Sequence, residues 1–265
     1  MMIGVFDSGI GGLTVVRELT RQLPGYDFVY FGDTARTPYG TKSPETVIEY
    51  ALQDTAFLVE KGARLVVMAC NTASSVATDH LRKQFDVPIF DVITPAVQRA
   101  ATESKTGRIG VIGTRATVNS DIYPRKIGEI DPRIKVYSAP CPLLVPLVEE
   151  GWMKKPETTM IVKKYLHPLK VKQIDTLILG CTHYPLLAEI IQRKIGKHVR
   201  IIDSSIGVVR SVKDFLKDNP AIDSQMSRDG ESHLFVSDVT AQFDRIARTT
   251  LKRNRTLENV KLMAS

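Results

Sequence analysis

The chain has 265 residues, of which 43% are hydrophobic and 25% are charged, the composition of an ordinary globular protein. Its 36 Lys and Arg residues outnumber its 29 Asp and Glu residues, and the formal charge of +7 favours anionic ligands in general. No apolar run approaches the roughly 20 residues that a membrane-spanning helix needs, so no membrane is expected as a partner.

The first residues, MMIGVFDSGIGG, lead directly into a predicted strand and a glycine-rich turn. Because a secretory leader would begin with a basic and then an apolar segment, we expect a cytoplasmic protein. The three cysteines, Cys70, Cys141 and Cys181, are too few for a disulfide scaffold and form no C-x-x-C pair. We therefore expect free thiols in a reducing compartment.

Short apolar segments alternate with longer amphipathic segments along most of the chain. This alternation is typical of parallel strands covered by helices on both sides, so the predicted fold class is α/β. The predicted strands are residues 3–6, 27–31, 65–70, 87–93, 108–113, 135–139, 176–181 and 199–203.

Two amphipathic segments, 11–23 and 43–62, are predicted to be helices. The second has Ser43 in the N-cap position, Pro44 in the first turn and Gly62 at its end, which are the residues that begin and end helices.

The pattern of segments occurs twice along the chain. IGVFDSGIGGLTV resembles RIGVIGTRATV, LVVMACNTA resembles TLILGCTHY, and VPIFDVITPAV resembles VRIIDSSIGVV. Any two α/β units look alike, but that likeness alone does not put a cysteine after the equivalent strand of each half. We predict two similar lobes related by a pseudo-twofold axis, with the active site between them. The first lobe is residues 1–97 with 208–265, and the second is residues 98–207.

Cys70 and Cys181 each follow a predicted strand, and ligands of parallel sheets bind beyond the carboxyl ends of the strands. Free cysteine is more often a small buried apolar residue, which is the structural alternative. Polar residues follow each of the two cysteines, at what should be a helix N-terminus, where a thiolate is stabilised. We therefore expect a thiol pKa lowered toward about 7. Cys141 has no counterpart in the other half.

Asp7 and His183 are the predicted proton-managing neighbours of the two thiols, Asp7 for Cys70 and His183 for Cys181. The alternatives are a capping aspartate and a hydrogen-bonded core histidine. Zinc is a further alternative for Cys181 and His183, but no second ligand pair is nearby in the sequence, so no metal is predicted.

The glycines of DSGIGGLT suggest a dinucleotide loop, but that motif requires glycine where Thr14 stands, so a tight turn that carries Asp7 and Ser8 is preferred. We predict no cofactor. The basic cluster Lys252, Arg253 and Arg255 has no interleaved aromatic residues for base stacking, so it is predicted to be a solvated helix face and no nucleic acid is expected.

Six blocks of residues resemble the glutamate racemases of the aspartate/glutamate racemase superfamily, over about residues 3–210. The blocks are FDSGIGGLTV, FGDTARTPYGTKS, ACNTAS, VIGTRAT, CPLLVPLVEEG and LGCTHYPLL. The resemblance implies a two-lobed enzyme that interconverts L- and D-glutamate without a cofactor and supplies D-glutamate for bacterial peptidoglycan, and hence for cell wall and cell shape. A homodimer is an open alternative to a monomer.

By the same resemblance, Cys70 and Cys181 are the two acid/base residues, with Asp7 and His183 beside them. The residues implied to bind substrate are Asp7, Ser8, Tyr39, Gly40, Asn71, Thr72, Thr182 and His183. Thr114 and Thr117 are implied for the side-chain carboxylate, and Glu149 is implied to lie near the second thiol.

Two bases suit this reaction because one thiolate removes the α-proton from one face while the opposite thiol donates a proton to the other. Without an electron-sink cofactor, positioned donors and the exclusion of water must stabilise the carbanionic transition state. Three alternatives stay open at this point: an aspartate racemase, a thiol hydrolase that uses Cys70 with His183, and an anion-binding protein without activity.

Overall fold

The structure is a computed structural model that describes residues 1–251 and 257–260. The basic cluster predicted to be a solvated helix face, Lys252, Arg253 and Arg255, lies outside the described residues. No helix within those two ranges is long and apolar enough to cross a membrane.

Two parallel sheets form the centre of the molecule, and the strand order of the four-stranded sheet recurs within the six-stranded one. In the first sheet the order is β10-β9-β2-β1-β3-β4, and in the second it is β6-β5-β7-β8. The strands are β1 (Met2–Asp7), β2 (Phe28–Gly32), β3 (Ala63–Met68), β4 (Ile89–Asp91), β5 (Arg108–Gly113), β6 (Lys135–Pro140), β7 (Thr176–Gly180), β8 (Arg200–Asp203), β9 (Ser232–Val236) and β10 (Leu257–Asn259). The order 2-1-3-4 recurs as 6-5-7-8, which confirms the α/β class and the internal repeat. Each sheet with its helices is called a lobe below.

Helices cover both faces of each sheet. They are α1 (Leu13–Gln22), α2 (Pro44–Glu60), α3 (Asn71–Val76), α4 (Thr78–Gln84), α5 (Ile93–Glu103), α6 (Arg115–Asn119), α7 (Ile122–Ile130), α8 (Leu144–Glu149), α9 (Pro156–Val171), α10 (Ala188–Ile195), α11 (Ser204–Asp218), α12 (Pro220–Asp223) and α13 (Ala241–Leu251). Short 3₁₀ turns occupy Thr34–Arg36, Tyr39–Thr41 and Tyr184–Leu187.

The largest hydrophobic core joins the two lobes. Helices α1, α5, α7 and α11 contribute buried side chains to it, and so do Ile3 and Val5 of β1 and Ile109 and Val111 of β5. Alternate residues of the same strands, such as Phe6 and Ile112, face two separate cores on the outer sides. Because strands buried on both faces are apolar throughout, β1 and β5 read as continuous hydrophobic runs in the sequence.

The two helices predicted from the sequence are present with nearly the predicted ends. The Ser43 hydroxyl caps α2 by accepting a hydrogen bond from the Thr46 N–H at 3.4 Å. The chain leaves the helix at Gly62, whose φ of +91° is in the left-handed region that favours glycine.

The end of the chain contains two strands that the sequence analysis did not predict. β9 pairs with the outer edge of β2, and β10 pairs with β9, so both extend the first sheet. The predicted lobe boundaries at 97/98 and 207/208 fall inside α5 and α11, which pack on each other. The exact division of the chain into lobes stays a prediction.

Candidate active site

One small cavity opens at the carboxyl ends of the strands and is lined from both lobes. Cys70 and Cys181 both line it. Cys70 follows β3 and Cys181 follows β7. The remaining lining residues are Ser8, Thr37, Pro38, Tyr39, Gly40, Asn71, Thr72, Thr114, Val145, Thr182 and His183. The structure thus brings together most of the residues predicted for the site, while Asp7, Thr117 and Glu149 lie behind the lining.

Cys70 is the N-cap residue of α3, because β3 ends at Met68 rather than continuing to Cys70 as predicted. Its sulfur accepts the Ala73 N–H at 3.5 Å and its thiol donates to the Ser8 hydroxyl at 3.5 Å. Burial, and then the negative charge of Asp7, raise the pKa of Cys70 to about 12. The predicted lowering of the pKa is therefore wrong for Cys70.

Cys181 lies in a different electrostatic setting. Its sulfur is 3.8 Å from Nδ1 of His183, and Nε2 of His183 is 3.2 Å from Oε1 of Glu149. Burial alone would lower the pKa of His183, but the contacts with Cys181 and Glu149 reverse the effect and raise it well above its ordinary value. An imidazolium beside the sulfur stabilises negative charge there, so the two thiols have unlike surroundings.

Asp7 ends β1 and is completely buried. Its carboxylate accepts the Gly9 N–H at 3.1 Å and the Thr182 hydroxyl of the other lobe at 3.2 Å. Burial raises its pKa, although the positive charge of His183 and the hydrogen bonds from Gly12, Gly9 and Thr182 oppose the effect. Asp7 therefore affects Cys70 through its charge, while its hydrogen bonds run to Gly9, Gly12 and Thr182.

Asn71 presents an unpartnered donor inside the cavity wall. Its Oδ1 accepts the Tyr123 hydroxyl at 2.7 Å, which fixes the orientation of the amide. Its Nδ2 is buried without a hydrogen-bond partner in the described structure. A buried N–H₂ group without a partner is costly, and a ligand carboxylate would satisfy it.

Three threonine hydroxyls meet where the lobes face each other. Thr72 Oγ1 is 2.9 Å from Thr114 Oγ1 and 3.3 Å from Thr117 Oγ1, and the latter two are 3.0 Å apart. Hydroxyls both donate and accept, so this group can reorient to donate to an anion.

The segment 37–40 covers one side of the cavity. Tyr39, implied by the resemblance to bind substrate, directs its hydroxyl away to Asp33 and Asp54, so its ring and backbone form the lining. Gly40 lies against Thr114 of the other lobe. The sequence analysis missed Thr37, Pro38 and Val145, although all three lie inside the blocks that carry the resemblance.

The cavity offers little to a metal ion. Within residues 1–251 and 257–260, no three His, Cys, Asp or Glu side chains come together as a ligand set. Its polar groups are hydroxyls, an amide and an imidazole, which are donors suited to an organic anion.

Two similar α/β lobes that share one cavity at their strand ends, with a thiol from each lobe in its wall, have the architecture of a two-lobed enzyme that acts on a small molecule. Residues 3–212 match the Asp/Glu/Hydantoin racemase family, and the chain belongs to that family. It is 46% identical to the glutamate racemase of Geobacter metallireducens over 92% of this chain and 90% of that protein.

Solved structures give the same result. The glutamate racemase from Bacillus anthracis superposes with a TM-score of 0.92 at 36% identity, covering 98% of this chain and 97% of that chain. The glutamate racemase from Francisella tularensis, determined in complex with D-glutamate, superposes with a TM-score of 0.91 at 38% identity and the same coverage.

Proposed function

We propose that the protein interconverts L- and D-glutamate without a cofactor, with Cys70 and Cys181 as the two acid/base residues. The observation that carries the proposal is the placement of two thiols, one after the equivalent strand of each lobe, in the wall of one small cavity. The D-glutamate bound in the Francisella tularensis relative supports the choice of substrate.

The donors of the cavity suit both ends of glutamate. We assign the α-carboxylate to the unpartnered Nδ2 of Asn71 and to the Ser8 hydroxyl, while Thr182 lines the same wall with its hydroxyl donated to Asp7. We assign the side-chain carboxylate to the hydroxyls of Thr72 and Thr114, which line the cavity, with the Thr117 hydroxyl behind them as their hydrogen-bond partner. Fixing both carboxylates leaves the α-carbon between the lobes.

The proton transfer follows from the unlike surroundings of the two thiols. In one direction the thiolate of Cys181, beside the His183 imidazolium, takes the α-proton, and the Cys70 thiol donates its proton to the opposite face. The carbon keeps its electron pair throughout, so the reaction needs no external oxidant or reductant. In the reverse direction the two cysteines exchange roles. Negative charge on the Cys70 sulfur is opposed by Asp7, whereas negative charge on the Cys181 sulfur is favoured by His183.

The resemblance extends the proposal beyond the chemistry. On that likeness we also propose three further properties: the supply of D-glutamate for peptidoglycan, a cytoplasmic location and a homodimer.

The decisive experiment is incubation of the purified protein with L-glutamate in deuterated water without added cofactor. We expect optical rotation to fall to zero while deuterium enters the α-position, because inversion requires exchange with a solvent-derived proton. A folded protein that shows neither change would contradict the proposal. Parallel incubation with L-aspartate separates the two substrates, and equal rates would favour an aspartate racemase.

Substitution Gly40→Ala should weaken catalysis by separating the lobes. The new Cβ would lie 2.6 Å from Cβ of Thr114, so the segment 37–40 or Thr114 must move. A displacement of about 1 Å at a positioned site can lower the rate by roughly 10²-fold, and we expect kcat/KM to fall by that order. The matched control is Gly128→Ala in α7, where an added Cβ meets nothing within 4 Å. Its kcat/KM should not change, and a similar loss in both variants would contradict the explanation.

A further inference from the structure

A buried network of polar side chains lies behind the segment 37–40, outside the chemistry described so far. Asp33, directly after β2, and Asp54, in α2, both have no exposed surface. The Tyr39 hydroxyl lies between them, 2.5 Å from Asp33 Oδ2 and 2.9 Å from Asp54 Oδ2. Two buried carboxyl groups that share one phenol require an explanation of where the protons are.

One arginine serves both carboxyl groups. Arg36 donates from Nε to Asp33 Oδ2 at 2.5 Å and from Nη2 to Asp54 Oδ1 at 3.0 Å. Its guanidinium also lies 4.0 Å from the centre of the Tyr50 ring. A guanidinium only donates, so the oxygens that it contacts must both be acceptors.

One placement of the protons pairs every group of the network and leaves the more heavily hydrogen-bonded carboxyl group charged. Asp33 Oδ1 accepts the Ser237 hydroxyl at 2.9 Å, and that hydroxyl oxygen accepts the Ala35 N–H at 2.9 Å. Asp33 therefore receives three donors over its two oxygens, against two for Asp54, which favours Asp33 as the carboxylate. Tyr39 has one proton to donate and gives it to Asp33, so the contact with Asp54 requires a proton on Asp54 Oδ2.

The electrostatics agree with this assignment. Burial, and then the negative charge of Asp33, raise the pKa of Asp54 well above its ordinary value. Burial and the two neighbouring carboxyl groups also raise the pKa of Tyr39, so the phenol keeps its proton.

The network is connected to both sides of the active site. The Asp33 N–H donates to the backbone oxygen of Asp7 at 2.9 Å. Tyr39 and Gly40 line the cavity, and Gly40 packs on Thr114 of the other lobe. A shift of this network would therefore move the wall that the substrate contacts.

We infer that Asp54 is held as a neutral carboxylic acid and Asp33 as a carboxylate, and that these residues with Arg36 position the segment 37–40 for substrate binding. The kinetic consequence rests on the proposed glutamate racemisation, whereas the charge assignment does not. Asp33 and Asp54 are positioning residues, since they act through Tyr39 and its neighbours.

Two substitutions of equal size test whether Asp54 is neutral and Asp33 is charged. In Asp54→Asn the amide oxygen still accepts from Arg36 and the N–H₂ donates to Tyr39, so KM for L-glutamate should stay within about threefold of the wild-type value. In Asp33→Asn an N–H₂ group faces donors from Arg36, Tyr39 or Ser237, and KM should rise about tenfold or more. We expect kcat to change less than KM, because the segment contacts ground state and transition state alike.

An infrared measurement tests the charge assignment independently of activity. The difference spectrum of wild type minus Asp54→Asn at neutral pH should contain the C=O stretch of a protonated carboxyl group. Its absence overturns the inference, and so does an equal rise of KM in both variants. An Asp33→Asn variant with unchanged KM and a lower Tm overturns the positioning role. If wild type does not racemise glutamate, the proposed function fails while the infrared result still decides the protonation of Asp54.

Discussion

Replacement of either Cys70 or Cys181 by serine is expected to lower the rate of glutamate racemisation by roughly 10²–10⁴-fold, the contribution typical of a positioned acid or base. A serine hydroxyl is a much weaker acid than a thiol, so it neither donates nor removes the α-proton at a comparable rate. Circular dichroism, at a wavelength where glutamate absorbs, measures the racemisation. Both single variants should be severely impaired.

The two variants should differ in which enantiomer still exchanges its α-proton. Each variant retains one thiol on one face of the α-carbon, so it can exchange the proton of the enantiomer that presents hydrogen to that face. Proton NMR in deuterated water measures α-deuteration of L- and D-glutamate separately. Opposite preferences are expected, and the same preference in both variants would refute the division of labour. Normal turnover by Cys181→Ser would instead favour the thiol hydrolase.

Cys141→Ser is the matched control for both substitutions. Cys141 is as buried as the other two cysteines and lies in the second lobe, but it does not line the cavity. A hydroxyl in this apolar position should cost about 1–3 kcal/mol of unfolding free energy while activity per folded molecule is retained. A comparable loss of activity here would show that the serine effect is not specific to the cavity.

The strands of the internal repeat were predictable because each carries its own signal. β1, β5 and β7 are buried on both faces and have apolar residues or glycine at all their inner positions, so their sequences alone identify them. β9 begins with Ser232 and His233, and β10 has only three residues, Leu257–Asn259, at the edge of the sheet. These two strands exist because β2 offers an edge to pair with, which is tertiary information that no local pattern contains.

The candidate site was predictable in its members and less so in its electrostatics. The polar residues after Cys70 correctly indicated a helix N-terminus, and Ala73 does donate its N–H to the sulfur. Burial and the charge of Asp7 nevertheless outweigh that contact, because α3 has only six residues and the sulfur is shielded from water. The network of Asp33 and Asp54 was not predicted at all, since an acidic residue within a helix normally faces solvent.

His183→Gln is expected to lower racemisation by roughly 10²–10⁴-fold, because the amide places no positive charge beside Cys181. The loss of kcat at saturating substrate should be larger in the direction in which Cys181 removes the proton, whereas kcat/KM must fall equally in both directions because the equilibrium constant of a racemisation is one. Initial rates from pure L- and pure D-glutamate, each followed before appreciable reversal, measure the two directions. Equal rates to wild type in both would contradict a role for the imidazolium.

The pH dependence of the unfolding free energy tests the positive charge on His183 without relying on turnover. The pKa of His183 is raised in the folded protein above the value of 6.5 expected when unfolded. The interaction of protonated His183 with Cys181 and Glu149 therefore stabilises the fold fully below about pH 6.5. That stabilisation is lost as the pH rises through the folded-state pKa of His183. Urea unfolding at several pH values should show this decline in wild type and a flatter profile in His183→Gln.

Glu149→Gln separates the imidazolium from its partner. The contact of Glu149 Oε1 with His183 Nε2 is one cause of the raised pKa, so its removal should shift the decline in stability, and the alkaline limb of the rate profile, to lower pH. Glu150→Gln is the control, because Glu150 is the exposed neighbour on the same turn. If both variants shift alike, general surface charge explains the effect. A shift confined to Glu149→Gln would mean that His183 works as a cation, and would explain why a carboxylate stands behind the cavity wall.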